Sequence, residues 1–483
     1  MKQVFLIVII VFFIEKGTLF SAENKPNFII FIADDISWDD FGCYGNNQVK
    51  TPNIDYLAGN GIKFNNVYLT ASSCSPSRNS IMTGRYPHNT GAAELHTQPP
   101  LDMLSLPEVL KSNGYFTAHS GKFHMGKYIE KGFDVISREY SEIGNSGSGS
   151  WLRVLQERPM DKPFFMWLAA LDAHRGWGEN QYSGTHDPDS LIPPFYLHNG
   201  YKTRKDLAQY YDEIYRFDVR IGEIMEELEK QNALNNTMVI VMADNGRPFP
   251  HSKTRVNDRG MKTPFIIFYP DEVEMKAQAA NSLISSIDIA PTIAEMAGAE
   301  IPVSFQGRSF LSVIENPSND FRNYVFAEHN WHDYEAHERM VRDKDFMYIL
   351  NSRPNEPQLG PADVIESPSF TELRALYAKG KLSAVQSDVF MVPRPQEELY
   401  DYKKDPQQLL NVASVPEHKE QLDKMRDILQ KWMNETGDNI PVNLTKDWYL
   451  RVPGYVETAA NEVRGEMPGA ANNASEINHK GPF

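Results

Sequence analysis

Asn27-Phe28-Ile29-Ile30-Phe31-Ile32-Ala33 is, after its first amide, a continuous apolar run that ends on two acids, Asp34-Asp35. A short run without polar alternation leaves no face for water. It therefore predicts a strand buried on both faces, as in a parallel sheet covered by helices. Three further runs read the same way: Phe164 to Ala170, Thr237 to Ala243 and Phe265 to Phe268. Between them, from about Arg204 to Lys230, Leu207, Tyr211, Ile214, Phe217, Ile221, Met225 and Leu228 recur at three- and four-residue steps, the apolar face of a helix. Strands alternating with helices predict an α/β domain built on a large, mainly parallel sheet flanked by helices.

Working outward, residues 23–350 read as this α/β domain. Beyond 350, Pro354, Pro357, Pro361, Pro368, Pro393 and Pro395 punctuate a loop-rich stretch. Glu398 to Asp401 then resembles a short strand and Pro416 to Glu435 a helix, so 351–468 is expected to form a smaller subdomain with a short antiparallel sheet and a helix. The small and polar residues 469–483 predict a mobile tail. At the other end, Lys2, the 11-residue apolar run Val4 to Ile14 and the small pair Ser21-Ala22 read as a cleaved signal peptide over 1–22. The run is too short to span a bilayer, so export without a stable membrane span is expected. That places the protein outside the cell or in a periplasm (in a lysosome, for an animal source).

Among the 483 residues, 41% hydrophobic and 23% charged is an ordinary globular balance. The formal net charge of −16 argues against a nucleic-acid partner, and an anionic substrate would need a local basic pocket. Only Cys43 and Cys74 are available for a disulfide, and in an exported chain the simplest expectation is that they pair.

Asp34-Asp35 and Asp244-Asn245 each follow a buried strand directly. Ligands of open α/β sheets bind beyond the carboxyl ends of strands, so these four oxygen-bearing side chains are placed to converge on a hard cation, Ca²⁺ or Mg²⁺. Each pair also suits a helix or turn cap, and position alone does not choose. The segment Cys74-Ser75-Pro76-Ser77-Arg78-Asn79-Ser80-Ile81-Met82-Thr83-Gly84-Arg85 sets Cys74 at a helix start with Arg78 one turn on. A helix N-terminus and a guanidinium both favour negative charge, which suits a reactive thiol, a bound oxyanion or merely a structural cysteine near a cap.

This twelve-residue segment resembles the sulfatase signature, Cys-X-Pro-Ser-Arg followed by Thr-Gly-Arg. The resemblance continues through Asp34-Asp35, Gly121-Lys122-Phe123-His124, Asp172-Ala173-His174, Asp244-Asn245-Gly246, Asp288 to Thr292 and Glu398 to Asp401. Asp244-Asn245-Gly246-Arg247-Pro248-Phe249-Pro250 is similar to the heparan N-sulfatase branch, whose features are shared by sulfatases of O-sulfated algal or host glycans. The resemblance implies an alkaline-phosphatase-like fold and hydrolysis of sulfate from a sulfated carbohydrate. It also implies Cys74 oxidised to formylglycine by a formylglycine-generating or anaerobic sulfatase-maturating enzyme.

By the same resemblance, Asp34, Asp35, Asp244 and Asn245 are calcium ligands together with the residue made from Cys74. Arg78 stabilises the hydrated aldehyde, Lys122 binds sulfate, His124 contacts the formylglycine and His174 protonates the leaving atom. Lys253 falls where the family places a second cation on the sulfate, a position at which the heparan N-sulfatase branch carries arginine. One hydroxyl of the hydrate attacks sulfur and the other expels the sulfate, which a serine or cysteine could not do. Substrate contacts are expected from Glu94 and His96, near the signature helix, and from the polar cluster His329, His332, Asp333 and His337. Trp177 and Trp331 are either sugar platforms or packing. Two alternatives stay open: a phosphomonoesterase or phosphonate hydrolase of the same superfamily, and a sulfated-glycan binder without turnover if Cys74 stays unmodified.

Overall fold

The computed structural model describes residues 25–139, 145–441, 445–451, 455–456, 472–479 and 481. The segment read as a signal peptide, 1–22, lies outside them. No described helix is long and apolar enough to cross a membrane.

The central sheet has eight strands in the order Val135–Ser137, Phe116–Gly121, Phe164–Ala169, Asn27–Ala33, Thr237–Ala243, Phe265–Phe268, Ile62–Phe64 and Gln278–Ala280. The first five run parallel. Successive residues of the central strand point to opposite faces. Phe28, Ile30 and Ile32 enter one core with Ile81 and Met82 of the helix Cys74–Thr83. Ile29 and Phe31 enter the other with Leu207, Ile214, Phe217 and Ile221 of the helix Tyr201–Lys230. Phe265–Phe268 corrects the sequence reading, because it pairs antiparallel with both of its neighbours. Its four side chains are buried all the same. A continuous apolar run reports that both faces are covered and says nothing about strand direction.

A second, antiparallel sheet has the order Val325–Trp331, Glu335–Arg342, Phe346–Asn351 and Glu397–Asp401. The helix Lys419–Thr436 covers it through Met425, Leu429 and Trp432. Two of its strands precede the boundary read at residue 350 and a third straddles it, since those strands lack the proline punctuation that marked the boundary. Within the segment read as a tail, Ala474–Ile477 is a helix whose Ala474 and Ile477 are buried in the main core. Two apolar side chains among polar ones are too few to register as a pattern in sequence. The expected Cys43–Cys74 disulfide is also absent, and both thiols are free.

A buried ion network ties the second sheet to the turn that follows the helix Cys74–Thr83 and to the end of the helix Lys419–Thr436. His88 Nδ1 lies 2.8 Å from Glu328, Asn330 donates to the other Glu328 oxygen at 2.9 Å, and Arg339 pairs with Asp438. Burial would raise the Glu328 carboxyl, but His88 and Arg339 outweigh it and hold it down to about 2. A depressed carboxyl contributes stability above its unfolded value of about 4.5 and loses that contribution as pH falls toward 2. The raised His88 contributes below about 6.5 and loses its share as pH rises through its folded value. Glu328→Gln is therefore expected to lower the melting temperature by several degrees near pH 5–6, from a loss of about 3–5 kcal/mol. The difference should shrink as pH falls toward 2. An equal loss at every pH in thermal melts would assign the effect to packing instead.

Candidate active site

Five strand ends and one helix start bring the polar residues together. Asn27–Ala33 and Thr237–Ala243 are in register to their last residues, Ala33 opposite Ala243. Asp34 and Asp244 consequently leave adjacent strands side by side, at the point where strand order departs from the chain on both sides. Asp35 takes a left-handed backbone with φ 60°, and its N–H donates to Asp244 at 3.2 Å. A non-glycine residue in that region is a sign of local strain that the surrounding contacts hold in place. Next along the sheet, Gly121 ends its strand at φ 99°. A Cβ there would sit 1.8 Å from the Ala169 carbonyl oxygen, so only glycine lets the chain turn and deliver Lys122.

Cys74 begins the helix Cys74–Thr83, almost wholly buried, with Sγ 3.6 Å from Asp34 and 4.0 Å from Asp35. Arg78, one turn on, donates to Asp244 at 2.8 Å and lies 3.7 Å from Asp34. Lys122 pairs with Asp34. Lys253 bridges Asp35 at 2.7 Å and Asp363 at 2.9 Å. Four carboxylates, Asp363 included, thus face three cations in a largely buried space, and the charges decide one another. Burial would raise Asp34, but Lys122, His174 and Arg78 hold it well below the usual carboxylate range. Burial pushes Asp244 up to about 7, with Arg78 opposing and Asp34 adding to the rise. Against the expectation of a reactive thiol, burial lifts Cys74 well above its ordinary value and Lys122 only partly opposes it. The guanidinium that was to stabilise a thiolate is already engaged by Asp244.

The donor set suits a hard cation. Single ligand atoms of Asp34, Asp35 and Cys74 lie within 4.8 Å of one another. Asn245 turns its amide N–H to Asp35, while its Oδ1 is buried with no hydrogen-bond partner. An orphaned acceptor among three carboxylates calls for a positive guest, and the oxygens of Asp34, Asp35, Asp244 and Asn245 favour calcium or magnesium.

The remaining expected residues divide. His174 reaches the centre, with one ring nitrogen within 4.8 Å of atoms of Asp35 and Asp363. Its Nδ1 lies 2.9 Å from the Arg175 carbonyl, which leaves Nε2 for the site. The loop beneath it is held by Asp172, paired in two-point fashion with Arg216 at 3.0 and 2.6 Å. His124 is hydrogen-bonded to His96 at 2.8 Å. Burial, Lys122 and His96 all press His124 well below its ordinary value, so its ring is neutral. His332 is buried 3.3 Å from Asp333 and, with Lys253 and His174, helps depress Asp363.

Two expected substrate contacts lie inside the fold instead. Glu94 accepts the Thr445 hydroxyl at 2.6 and 2.8 Å, and His329 is packed in its strand against Tyr334, 3.9 Å from Glu338. His337 is likewise buried, 3.2 Å from the Asn439 carbonyl. Polar character alone did not distinguish residues that face the pocket from those that tie loops together. Trp177 donates to the Ala173 carbonyl at 3.1 Å and Trp331 to that of Lys446 at 3.2 Å, so both brace the site's walls.

Sequence reasoning missed Asp363 and Trp448. Asp363 holds Lys253 from the proline-rich stretch. Trp448 packs against the cluster of Cys74, Leu95 and Trp331 and stacks on His96, with ring centroids 5.8 Å apart. Neither carries a local signal, since each reaches the site only through the tertiary fold.

Comparison with known proteins agrees with this geometry. The model of the Sulfatase family matches residues 26–147 and 148–299, and the family model N-sulphoglucosamine sulphohydrolase, C-terminal, matches 251–389. An ulvan-active sulfatase of Formosa agariphila is 30% identical, covering 88% of this chain and 78% of its own. The N-sulphoglucosamine sulphohydrolase of Homo sapiens is 29% identical, covering 85% of this chain and 90% of its own. A protein solved in complex with its substrate D-glucosamine-2-N,6-O-disulfate shares the fold with a TM-score of 0.68 at 20% identity, covering 86% of this chain and 99% of its own. By sequence and by the sheet that carries its centre, the chain belongs to the sulfatase family.

Proposed function

We propose that this sulfatase is exported and removes sulfate, as ester or N-sulfate, from a sulfated glycan or oligosaccharide, using calcium and a formylglycine made from Cys74. The observation that carries the reading is the meeting of Cys74 with Asp34, Asp35, Asp244 and the unpartnered oxygen of Asn245. The ulvan-active and N-sulphoglucosamine relatives support a carbohydrate substrate. Export rests on Lys2, the Val4 to Ile14 run and Ser21-Ala22.

Asp34, Asp35, Asp244 and Asn245 would hold the calcium, which neutralises sulfate charge and polarises its oxygens. The hydrated aldehyde at residue 74 supplies an oxygen nucleophile able to let its sulfate go. Arg78 fixes that end of the site through Asp244. Lys122 and Lys253 bring positive charge to the sulfate, each pre-positioned on a carboxylate. His174 keeps Nδ1–H on the Arg175 carbonyl, so the proton delivered to the leaving atom is carried on Nε2.

The test is sulfate release from N-sulfated glucosamine, O-sulfated glucosamine and sulfated algal oligosaccharides, beside phosphate esters, using protein whose Cys74 conversion is verified. Release from N-sulfoglucosamine alone places the protein with the sulfamidases and makes Lys253 a conservative change. Release from O-sulfated sugars alone keeps the chemistry and moves the substrate. Turnover of phosphate esters in preference to every sulfate would sink the proposal.

A further inference from the structure

A cavity of about 340 Å³ opens beside the nucleophile pocket, lined by Thr97, Gln98, His124, Lys127, Glu130 and Arg138 among others. The two spaces share a wall. His96, which also lines the cavity, donates its backbone N–H to Ser75 next to Cys74 at 3.0 Å. Its ring bonds to His124 and stacks on Trp448, which packs against the apolar cluster that holds Cys74. One short loop carries Lys122 at the sulfate end and Lys127 at the cavity end. The shared wall is faced by the bonded rings of His96 and His124 together with Thr97 and Gln98. It therefore offers donors and acceptors of the kind that meet sugar hydroxyls.

Charge at the mouth is different. In a chain of net charge −16, Lys127 and Arg138 outnumber Glu130 here. The Arg138 guanidinium is laid over the Phe123 ring at 4.0 Å and steadied by Glu130 at 2.5 Å, which pre-orients a fork suited to carboxylate or sulfate oxygens. The volume is at the small end for ligand pockets, room for about one sugar ring.

We propose that this cavity is a subsite for the sugar next to the sulfated one, and that Arg138, with Lys127, takes an anionic substituent of that neighbour. The proposal rests on the reading of the Cys74 pocket as the place where the scissile sulfate binds. It makes the enzyme a reader of two adjacent residues of a polyanionic glycan, one through its scissile sulfate and the other through a carboxylate or a second sulfate.

The experiment compares wild type, Arg138→Ala and Arg138→Lys, all with Cys74 converted. Each is assayed on a sulfated monosaccharide and on three disaccharides of it, in which the neighbouring sugar carries a carboxylate, a sulfate or no charge. In Arg138→Ala the ratio of kcat/KM for an anionic disaccharide to that for the monosaccharide should fall about tenfold, through KM. Arg138→Lys should recover part of it, and the neutral disaccharide should show no change in ratio. Whichever anionic disaccharide loses more identifies the group that Arg138 takes. An unchanged ratio for both anionic disaccharides, or the same drop for the neutral one, would overturn the subsite. The reading beneath it fails differently: converted wild type would release no sulfate from any probe. Binding of the same disaccharides to Cys74→Ser protein would still show whether Arg138 discriminates between them.

Discussion

Cys74→Ser is expected to abolish sulfate release, by a factor on the order of 10⁴ or more, while leaving circular dichroism and the melting transition close to wild type. The two side chains differ by one atom, and Cys74 belongs only to a small apolar cluster with Leu95 and Trp331. The fold therefore has little to lose. The chemistry loses its only suitable nucleophile. A serine hydroxyl that accepted sulfate would have no second oxygen with which to expel it, so turnover would stop after one event. An unconverted cysteine fails for another reason, because burial keeps its thiol protonated despite Lys122. Mass spectrometry of the Cys74 peptide separates the two cases, the active protein carrying a lighter residue than cysteine. Sulfate release by the serine variant at the wild-type rate would end the formylglycine account.

How much of this was legible in the sequence follows from which signals are local. The central strand announced itself because six consecutive apolar residues, Phe28 to Ala33, can only be buried. The acids after it lie side by side because in-register parallel strands end together, Ala33 beside Ala243. The helix Tyr201–Lys230 was legible through its period. Strand direction at Phe265–Phe268 was not, since burial of both faces looks the same either way. Asp363 and Trp448 were invisible for a related reason. Asp363 lies 110 positions from the lysine it holds, and the segment bearing Trp448 is pinned by Thr445, 351 positions from Glu94. The same fact explains Glu94, whose nearness to the signature helix suggested the pocket although its carboxylate closes a loop from the far end of the chain. Polar residues near a site are drawn there both by substrate and by the need to tie converging loops, and sequence spacing does not separate these causes.

Removal of calcium is the second large effect expected. Chelation should abolish turnover and lower the melting temperature, and added Ca²⁺ should restore both. At a free concentration 100 times the dissociation constant the ion contributes about 2.7 kcal/mol, roughly 2–3 °C for a chain of this size. The structural reason is the balance at the centre. With Asp34, Asp35 and Asp244 set against Arg78, Lys122 and Lys253, burial still pushes Asp244 up to about 7. Neighbouring cations alone therefore do not make three charged carboxylates comfortable there. In the proposed reaction the lysines among those cations also meet the sulfate, so carboxylates that lean on Lys122 and Lys253 would compete with substrate. A divalent ion held by the carboxylates and Asn245 Oδ1 would resolve both conflicts, keeping the acids ionised and freeing the ammonium groups for sulfate. Asp244→Asn should accordingly erase the calcium-dependent rise in melting temperature along with turnover. A chelated enzyme that keeps full activity, or a melting temperature indifferent to calcium in the wild type, would show that the three cations hold the centre alone. The unpartnered oxygen of Asn245 would then have no explanation in the chemistry proposed.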